Sequence, residues 1–512
     1  MNSSTLSTTA PSRLFSVRIA RWIGRLVWNR RMGWTLVCLI SLITLYWQWE
    51  NWRSARELSA VHRRMVERLG TDDPTALMPP KVTDDENYFA NPVLESWLHV
   101  KQQGSLAYRY TPPRNVLWPK DFVAPEMLKP TEGGIERLDL DSWIKKRGRR
   151  MAQPASILLA KELGDGNGLL PKLAEGLEKP FSVIKPGQRE ALEAVGGNPW
   201  QVAIPEFLGL HEFQLQLGLH LRSAALVGDA EKAANTALIM LRMSEGPARG
   251  GMIGCLVPLA MYGITFEALH EALSHPAWTQ ESLARLQRRL SQFDDLRQYE
   301  TAHGEEILGM LFQLDYLKKH RHELESITGN RSSKESFGER LMTDAFYFAM
   351  IHGPIGWHDA NVAFYAECML DQLGPPGAES WLTAGARAEV VHLRSKAENA
   401  WLNPRRLLGG IAIPQIGNIT HAAARALFRR RCLIIACALE QHRMQHGHFP
   451  ASLEVVKDSL KLFQITDPAR PAQPLGYRLE PDGYLLWSAG PDAHDDGGTA
   501  EQDWLWRMQF EP

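Results

Sequence analysis

An uncharged stretch near the N-terminus constrains this chain more than any other feature. Residues 32–49 (MGWTLVCLISLITLYWQW) carry no charge over 18 positions. As a helix rising about 1.5 Å per residue they extend roughly 27 Å, close to the thickness of a hydrocarbon core. Trp22, Trp28 and Trp34 stand toward the start of the run, and Trp47, Trp49 and Trp52 toward its end. Indole rings favour the membrane–water boundary, where ring and N–H are both satisfied. No acidic residue precedes Glu50, whereas Arg13, Arg18, Arg21, Arg25, Arg30 and Arg31 do. The asymmetry predicts a basic cytoplasmic tail over 1–31, one uncleaved transmembrane helix over 32–50, and the remaining bulk on the far side of the membrane. In a bacterium this is a single-pass inner-membrane protein with a periplasmic ectodomain. No small-x-small cleavage site follows the run closely, which disfavours a signal peptide; the acid-free, Arg- and Ser-rich start also fits a mitochondrial presequence.

The charge balance excludes other classes. Across 512 residues, 57 basic groups face 58 acidic ones, for a net charge of −1. A protein that binds nucleic acid by bulk electrostatics needs a basic excess, so no nucleic-acid partner is expected. Five cysteines are too few for a disulfide scaffold or a multi-thiolate zinc array.

Beyond the span, residues 53–70 read as a juxtamembrane helix stopped at Gly70. Nine of the 31 prolines then fall between Pro74 and Pro130, a density that helices and central strands do not tolerate. The segment over 51–141 is therefore expected to be this helix followed by an extended connector. Its aromatic residues (Tyr88, Phe89, Trp97, Tyr108, Tyr110, Trp118) predict that the connector packs along the next domain. Helical periodicity dominates 142–415, with candidate helices over 206–227, 230–243, 256–274, 280–293, 299–320, 336–351 and 361–373. Gly228-Asp229 separates the first two as the turn of an αα-hairpin. That hairpin resembles a tetratricopeptide unit through Ala224, Gly228, Ala233 and Ala237, without a second copy at the family's spacing. The fold class expected is mainly α, an irregular array of stacked antiparallel helices whose surface serves as a docking face for a protein partner.

The last segment, 416–512, changes style. Residues 421–446 form one long amphipathic helix, with Leu427, Ile434, Ile435, Ala438 and Leu439 on its buried stripe. A short helix near Pro450 follows. Residues 477–480 and 484–488, joined by Pro481-Asp482-Gly483, read as a β-hairpin, and 504–508 as a third antiparallel strand. The result is a small α+β unit.

This order of parts resembles the globular domain of type II secretion major pseudopilins. The matching residues are ALEQHRMQHGHFPASLEVV at the helix end, DPARPAQPLGYRLE (Asp467-Pro468, Pro474, Gly476-Tyr477) and WSAGPDAHDDGGTAEQDW from Trp487 to Trp504. The resemblance implies a calcium-binding final loop. It covers about the last ninety residues and departs from the family in two ways. One extra residue stands between Asp492 and Gly497-Gly498, and the family's methylated N-terminal segment is missing, so assembly into a pilus is not implied. The remainder resembles uncharacterised bacterial single-pass membrane proteins with a helical ectodomain.

The final loop has its own logic. Asp492, Asp495, Asp496, Glu501 and Asp503 crowd five carboxylates into twelve residues, and such charges repel unless solvated or neutralised. Calcium takes six to eight hard oxygen ligands, with glycine where the chain turns sharply. Asp492, Asp496 and Asp503 are the candidate calcium ligands, with Asp495 as a substitute for either neighbour; the competing reading is a solvated acidic turn.

Catalytic signals are thin. His211-Glu212 and His322-Glu323 begin a zinc-peptidase motif that Leu215 and Ser326 leave incomplete. The His442, His446 and His448 group is more simply an exposed helix end than a transition-metal site. Gly164-Asp165-Gly166-Asn167-Gly168 has no preceding strand and reads as a turn. Arg405-Arg406 and Arg429-Arg430-Arg431 read as solvated faces, and Cys432 and Cys437 as small packed hydrophobes; Cys255 and Cys368 are a possible pair in an oxidising compartment. The leading functional expectation is a membrane-anchored, non-enzymatic interaction or assembly component, with no catalytic residue assigned. The rival is an envelope hydrolase with dispersed residues, such as His303 and Glu306, acting on an unassigned small-molecule substrate.

Overall fold

The structure, a computed structural model, describes residues 30–73, 75–77, 81–98, 127–128, 134–139, 142, 168–184, 188–202, 207–245, 251–292, 295–325, 337–373, 386–387, 389–393, 403–413, 417–460, 465–499 and 502–510. The basic tail over 1–29, most of the Pro-rich connector with Tyr108, Tyr110 and Trp118, the Gly-rich segment before Gly168, and Glu501 lie outside these residues.

The chain is mainly helical with one small antiparallel sheet near its C-terminus. Helix α1 runs Arg30–Leu69, 40 residues. The expected span and juxtamembrane helix are thus a single rod, because no glycine or proline interrupts 34–69. It stops where the sequence signals a stop: Gly70 takes φ 77°, the left-handed turn that ends many helices. No helix among the described residues is long and apolar enough to cross a membrane; in α1, Thr35, Ser41, Thr44 and Gln48 dilute the apolar run.

The other helices are α2 (Pro92–Leu98), α3 (Leu169–Ala174), α4 (Gln188–Ala194), α5 (Phe207–Val227), α6 (Ala230–Ser244), α7 (Gly251–Leu273), α8 (Gln280–Leu290), α9 (Asp295–Lys319), α10 (Phe337–His352), α11 (Gly356–Leu373), α12 (Leu407–Ala412) and α13 (Gly417–His446). Most lie within a few residues of the bounds the periodicity predicts. Helix α7 starts five residues earlier than expected and carries Pro258 inside it; α11 likewise gains a first turn ahead of position 361. The α5–α6 turn forms as read, with Gly228 at φ 86° and Asp229 capping α6 by accepting from the Lys232 N–H at 3.0 Å. Ala233 and Ala237 are wholly buried there, so the small side chains allow the close approach.

Two short ribbons, β1 (Met127–Leu128) and β2 (Arg137–Leu138), pair antiparallel. The C-terminal sheet has the order β3-β4-β5, from Gly476–Glu480, Gly483–Ser488 and Trp504–Gln509. Glu480 pairs with Gly483, leaving Pro481-Asp482 as the hairpin loop. A Cβ at Gly483 would stand 2.0 Å from the Met508 carbonyl oxygen, so only glycine fits where β4 begins beside β5. The expected short helix after α13 is a 3-10 turn, Leu453–Ser459.

Two apolar clusters form the interior. One joins α5 to α8, the second half of α13 and the sheet. Tyr88, Phe89 and Trp97 from the connector sit deep within it, Trp97 stacked on Phe213 at 4.8 Å. The aromatic part of the connector thus packs as expected where it is described. The other cluster joins α1, α9, α11 and the first half of α13. Helix α13 passes from one cluster to the other, so the α+β unit shares a core with the helical domain.

Candidate functional site

The first feature is the place where α1 meets the body. Residues 34–49 are exposed on every face of the helix: Trp34 is 70% exposed and Leu42 64%. At Glu50 this changes within one residue, since Glu50 is only 3% exposed. From there Glu50, Ser54, Leu58, Val61 and Met65, spaced by three or four, turn one stripe inward against α11. Arg405, just before α12, clamps the start of that stripe. Its guanidinium bonds Glu50 and reaches Glu57 at 2.5 Å and the Ser54 hydroxyl at 3.3 Å. The Asn51 side-chain oxygen accepts from the Gly356 N–H at 2.7 Å. A Cβ at Gly356 would lie 2.7 Å from the Asn51 Cα, so the helices touch backbone to backbone. Farther along, Arg64 pairs with Asp371 at 2.7 Å and Arg68 with Glu300 at 2.9 Å. At the emergence point Arg53 lies over the Trp49 ring and Arg56 over Trp52, at 5.3 and 4.8 Å.

This clamp corrects one sequence reading and adds another. Arg405 is not part of a solvated face; burial and two carboxylates hold it. Likewise Arg430 is buried, Arg429 pairs with Glu267 at 2.9 Å, and Arg431 donates to the Thr466 carbonyl at 2.5 Å. The stripe from Glu50 to Met65 was legible as a helical period, but its partner Arg405 stands hundreds of residues away and no local pattern names it.

The second feature is the acidic loop between β4 and β5. Its centre is not the five clustered acids but Asp467, fully buried. Asp467 accepts from Ser488 Oγ at 2.5 Å, from the Ala469 and Ala489 N–H groups at 2.9 and 3.0 Å, and from Arg470 Nε at 3.3 Å. Arg470 reaches across with its other arm to Asp495 at 2.9 Å. Asp495 also accepts from Trp487 Nε1 at 2.8 Å and the Gly497 N–H at 3.0 Å; these bonds, the Trp487 one foremost, hold its carboxyl below the usual range. The Trp487 indole lies flat over Gly476, where a Cβ would come within 2.0 Å of the ring.

The four predicted ligands therefore have different jobs. Asp492 accepts from the His494 N–H at 3.0 Å, Asp496 stands 3.7 Å from the His494 ring, and Asp495 is filled by Arg470 and Trp487. Asp503 accepts from the Gly498 N–H at 2.9 Å, and its other oxygen is buried without a hydrogen-bond partner. Burial raises its carboxyl above the ordinary value. Among the described residues no group of three or more His, Cys, Asp or Glu side chains is arranged to hold a metal ion. As placed, these carboxylates do not fit a calcium cage, and the cation at Asp495 is a guanidinium.

The histidines considered for catalysis are committed elsewhere. His303 is fully buried and its Nε2 lies 3.0 Å from the Met369 carbonyl; burial pushes it down to about 4. The Tyr365 hydroxyl reaches the Glu306 backbone carbonyl at 3.5 Å. His358 holds the Met350 carbonyl at 3.1 Å, and its neighbour Asp359 pairs with Lys318 at 2.6 Å. His442, His446 and His448 do cluster, with ring centres 4.1 to 6.5 Å apart, at the exposed end of α13. Cys432 and Cys437 are buried and their thiols are pushed up by that burial. Cys368 is buried in α11, whereas the Cys255 side chain lies outside the description.

No protein-family model, curated protein or solved structure matches this chain.

Proposed function

We propose that the protein is a membrane-tethered docking or assembly component of a bacterial envelope, with its N-terminal tail cytoplasmic and its folded body periplasmic. The observation that carries this reading is the switch at Glu50 inside one unbroken helix. Before it the helix is bare and uncharged on all sides; after it the same helix is clamped into the body. A contiguous apolar surface of that extent marks an interaction site, and a ring of apolar side chains around the whole helix suits lipid better than a one-sided protein groove. Thr44 turns its hydroxyl back to the Ile40 carbonyl at 2.9 Å, which keeps a polar group satisfied without water. The tryptophan–arginine pairs at Glu50 suit a headgroup boundary.

Long helix, hairpin and third strand, in that order, support a pseudopilin-like C-terminal unit, and the stacked helices supply the surface for a protein partner. The Arg470 guanidinium is the cation of the terminal loop in this reading, in the place the sequence reserves for calcium. The test is flotation of the full chain with vesicles of phosphatidylethanolamine and phosphatidylglycerol. The wild type is expected to float and to resist alkaline extraction. Leu39→Asp with Leu42→Asp places two charges in the bare segment, at about 2.5–3.5 kcal/mol each near a bilayer centre, and is expected to remain unbound with unchanged helix content. Equal flotation of that variant, or a wild type that stays in solution, refutes the tether.

A further inference from the structure

A second apolar surface lies at the end of the body from which α1 emerges. Helix α9 runs antiparallel to α11, because His303 meets Met369 near one end and Lys318 meets Asp359 near the other. The C-terminal end of α9 therefore lies beside the first turn of α11, and Gly356 in that turn is bonded to Asn51 of α1. Helix α10 closes this same end. It packs on the turn Arg321–Glu323 that follows α9, rather than along α9 or α11. Arg321 donates to the Gly353 carbonyl at 3.0 Å, and His358 of α11 holds the Met350 carbonyl.

Only one side of α10 belongs to the interior. Tyr347 and Met350 are buried in the second cluster. The opposite side presents Leu341, 59% exposed, and Phe348, 67% exposed, with Ala345 between them and exposed Asp344 along one edge. The spacings of four and three make one helical stripe. Ile355, in the turn that leads to Asn51, carries the apolar surface on toward α1. Charges of both signs border the stripe: Arg340 and Asp344 are exposed beside it, and His322 stands 3.7 Å from Glu323 on the turn beneath α10. What directs the stripe toward lipid is its place at the end of the body where α1 emerges, beside Arg53 and Arg56 on their tryptophan rings.

We infer that α10 is a second, interfacial membrane contact, lying in the headgroup region with Leu341, Phe348 and Ile355 toward the acyl chains. This rests on the tether proposed for α1. A rod held only at its end leaves the body free to rotate about the rod axis; a second contact beside it fixes one face of the body toward the lipid. Interfacial helices bury their apolar side about 5–10 Å deep, so α10 is expected to sit far shallower than the middle of the α1 run.

The experiment uses the full chain carrying Cys38→Ser and Cys255→Ser, which leaves only the buried Cys368, Cys432 and Cys437, with an environment-sensitive fluorophore on a single introduced cysteine, in vesicles of phosphatidylethanolamine and phosphatidylglycerol. Labels are placed at Phe348→Cys, at Leu42→Cys in α1, and at Leu479→Cys on the exposed side of β3. Lipids brominated near the headgroup are expected to quench position 348 more than lipids brominated deep in the chains, with the reverse order at position 42 and no quenching at 479. Quenching at 42 with position 348 behaving like 479 overturns the inference and leaves the tether standing. A label at 348 that is already shielded before vesicles are added shows a protein surface in the place of lipid, and overturns it as well. Absence of quenching at both 42 and 348 removes the tether and this inference together.

Discussion

Acidification is expected to loosen the α9–α11 interface through His303. This imidazole is wholly buried, with its Nε2 by the Met369 carbonyl and the charge of Arg68 farther off. Burial lowers its pKa from 6.5 to about 4, with Arg68 acting in the same direction and the Met369 hydrogen bond opposing both. The unfolded chain therefore takes up the proton first, and the native interface is favoured only while the ring stays neutral. This contribution is complete above the unfolded value of 6.5 and is lost as pH falls toward the folded value near 4. The slope approaches about 1.4 kcal/mol per pH unit between the two values, and going from pH 6.5, where the unfolded ring is half protonated, to about 4.5 costs roughly 2 kcal/mol. That is a large share of the roughly 5–15 kcal/mol that holds a domain together.

Buried Glu245, Glu271 and Glu440 shift upward and pull stability the other way, so the raw pH profile mixes signs. The clean measurement compares wild type with His303→Gln, whose amide still donates to Met369 but does not titrate. Hydrogen exchange of α9 peptides in vesicles, corrected for intrinsic rates, gives the local opening free energy. The wild-type value is expected to fall by about 2 kcal/mol more than that of the variant between pH 6.5 and 4.5. Parallel profiles refute the argument, and they would also reopen His303 as an accessible base.

Three further outcomes follow from the geometry. Gly356→Ala forces a methyl against the backbone at Asn51 and is expected to cost about 1–3 kcal/mol, read as faster exchange in residues 54–65; Gly263→Ala, inside α7 with nothing within 4 Å, is expected to be neutral or mildly stabilising through helix propensity and serves as the clash-free control. Arg405→Ala leaves the Glu50 carboxylate buried without its guanidinium, and removing one partner of such a pair costs about 3–5 kcal/mol; undocking of the second half of α1, measured by protease cutting between Glu50 and Met65, checks it. In the acidic loop, calcium and chelator are expected to leave the wild-type melting temperature unmoved, whereas Arg470→Ala lowers it; a calcium-dependent rise in the wild type would show that the loop opens Asp495 to the ion.

What could be read from the sequence was whatever has a short period. Helix α13 announces itself through Leu427, Ile434 and Ala438, and α1 through an apolar run followed by the stripe that ends at Met65. The hairpin follows from alternation around Pro481-Asp482, and Gly70 and Gly228 mark stops that depend only on their own backbone. Charges behaved differently, because a carboxylate cluster in sequence is not a cluster in space. Asp492, Asp495, Asp496 and Asp503 stand within twelve residues, yet the fold gives them unlike surroundings, and the decisive acid is Asp467, which lies outside the run. Its partners Ser488 and Ala489 are fixed only when β4 is laid against the segment after α13. The same holds for Arg405, whose meaning depends on an α1 residue 355 positions earlier. Both long-range ties converge on α13. Its first half, with Ala424 and Leu427, lies in the cluster that grips α1, and its second half, with Leu433 and Ile435, lies in the cluster beneath the sheet. A helix that is continuous through both cores makes the docked half of α1 and the acidic loop parts of one packed body. A change that unseats α1 at Glu50 therefore bears on the packing of the whole body, the C-terminal sheet included.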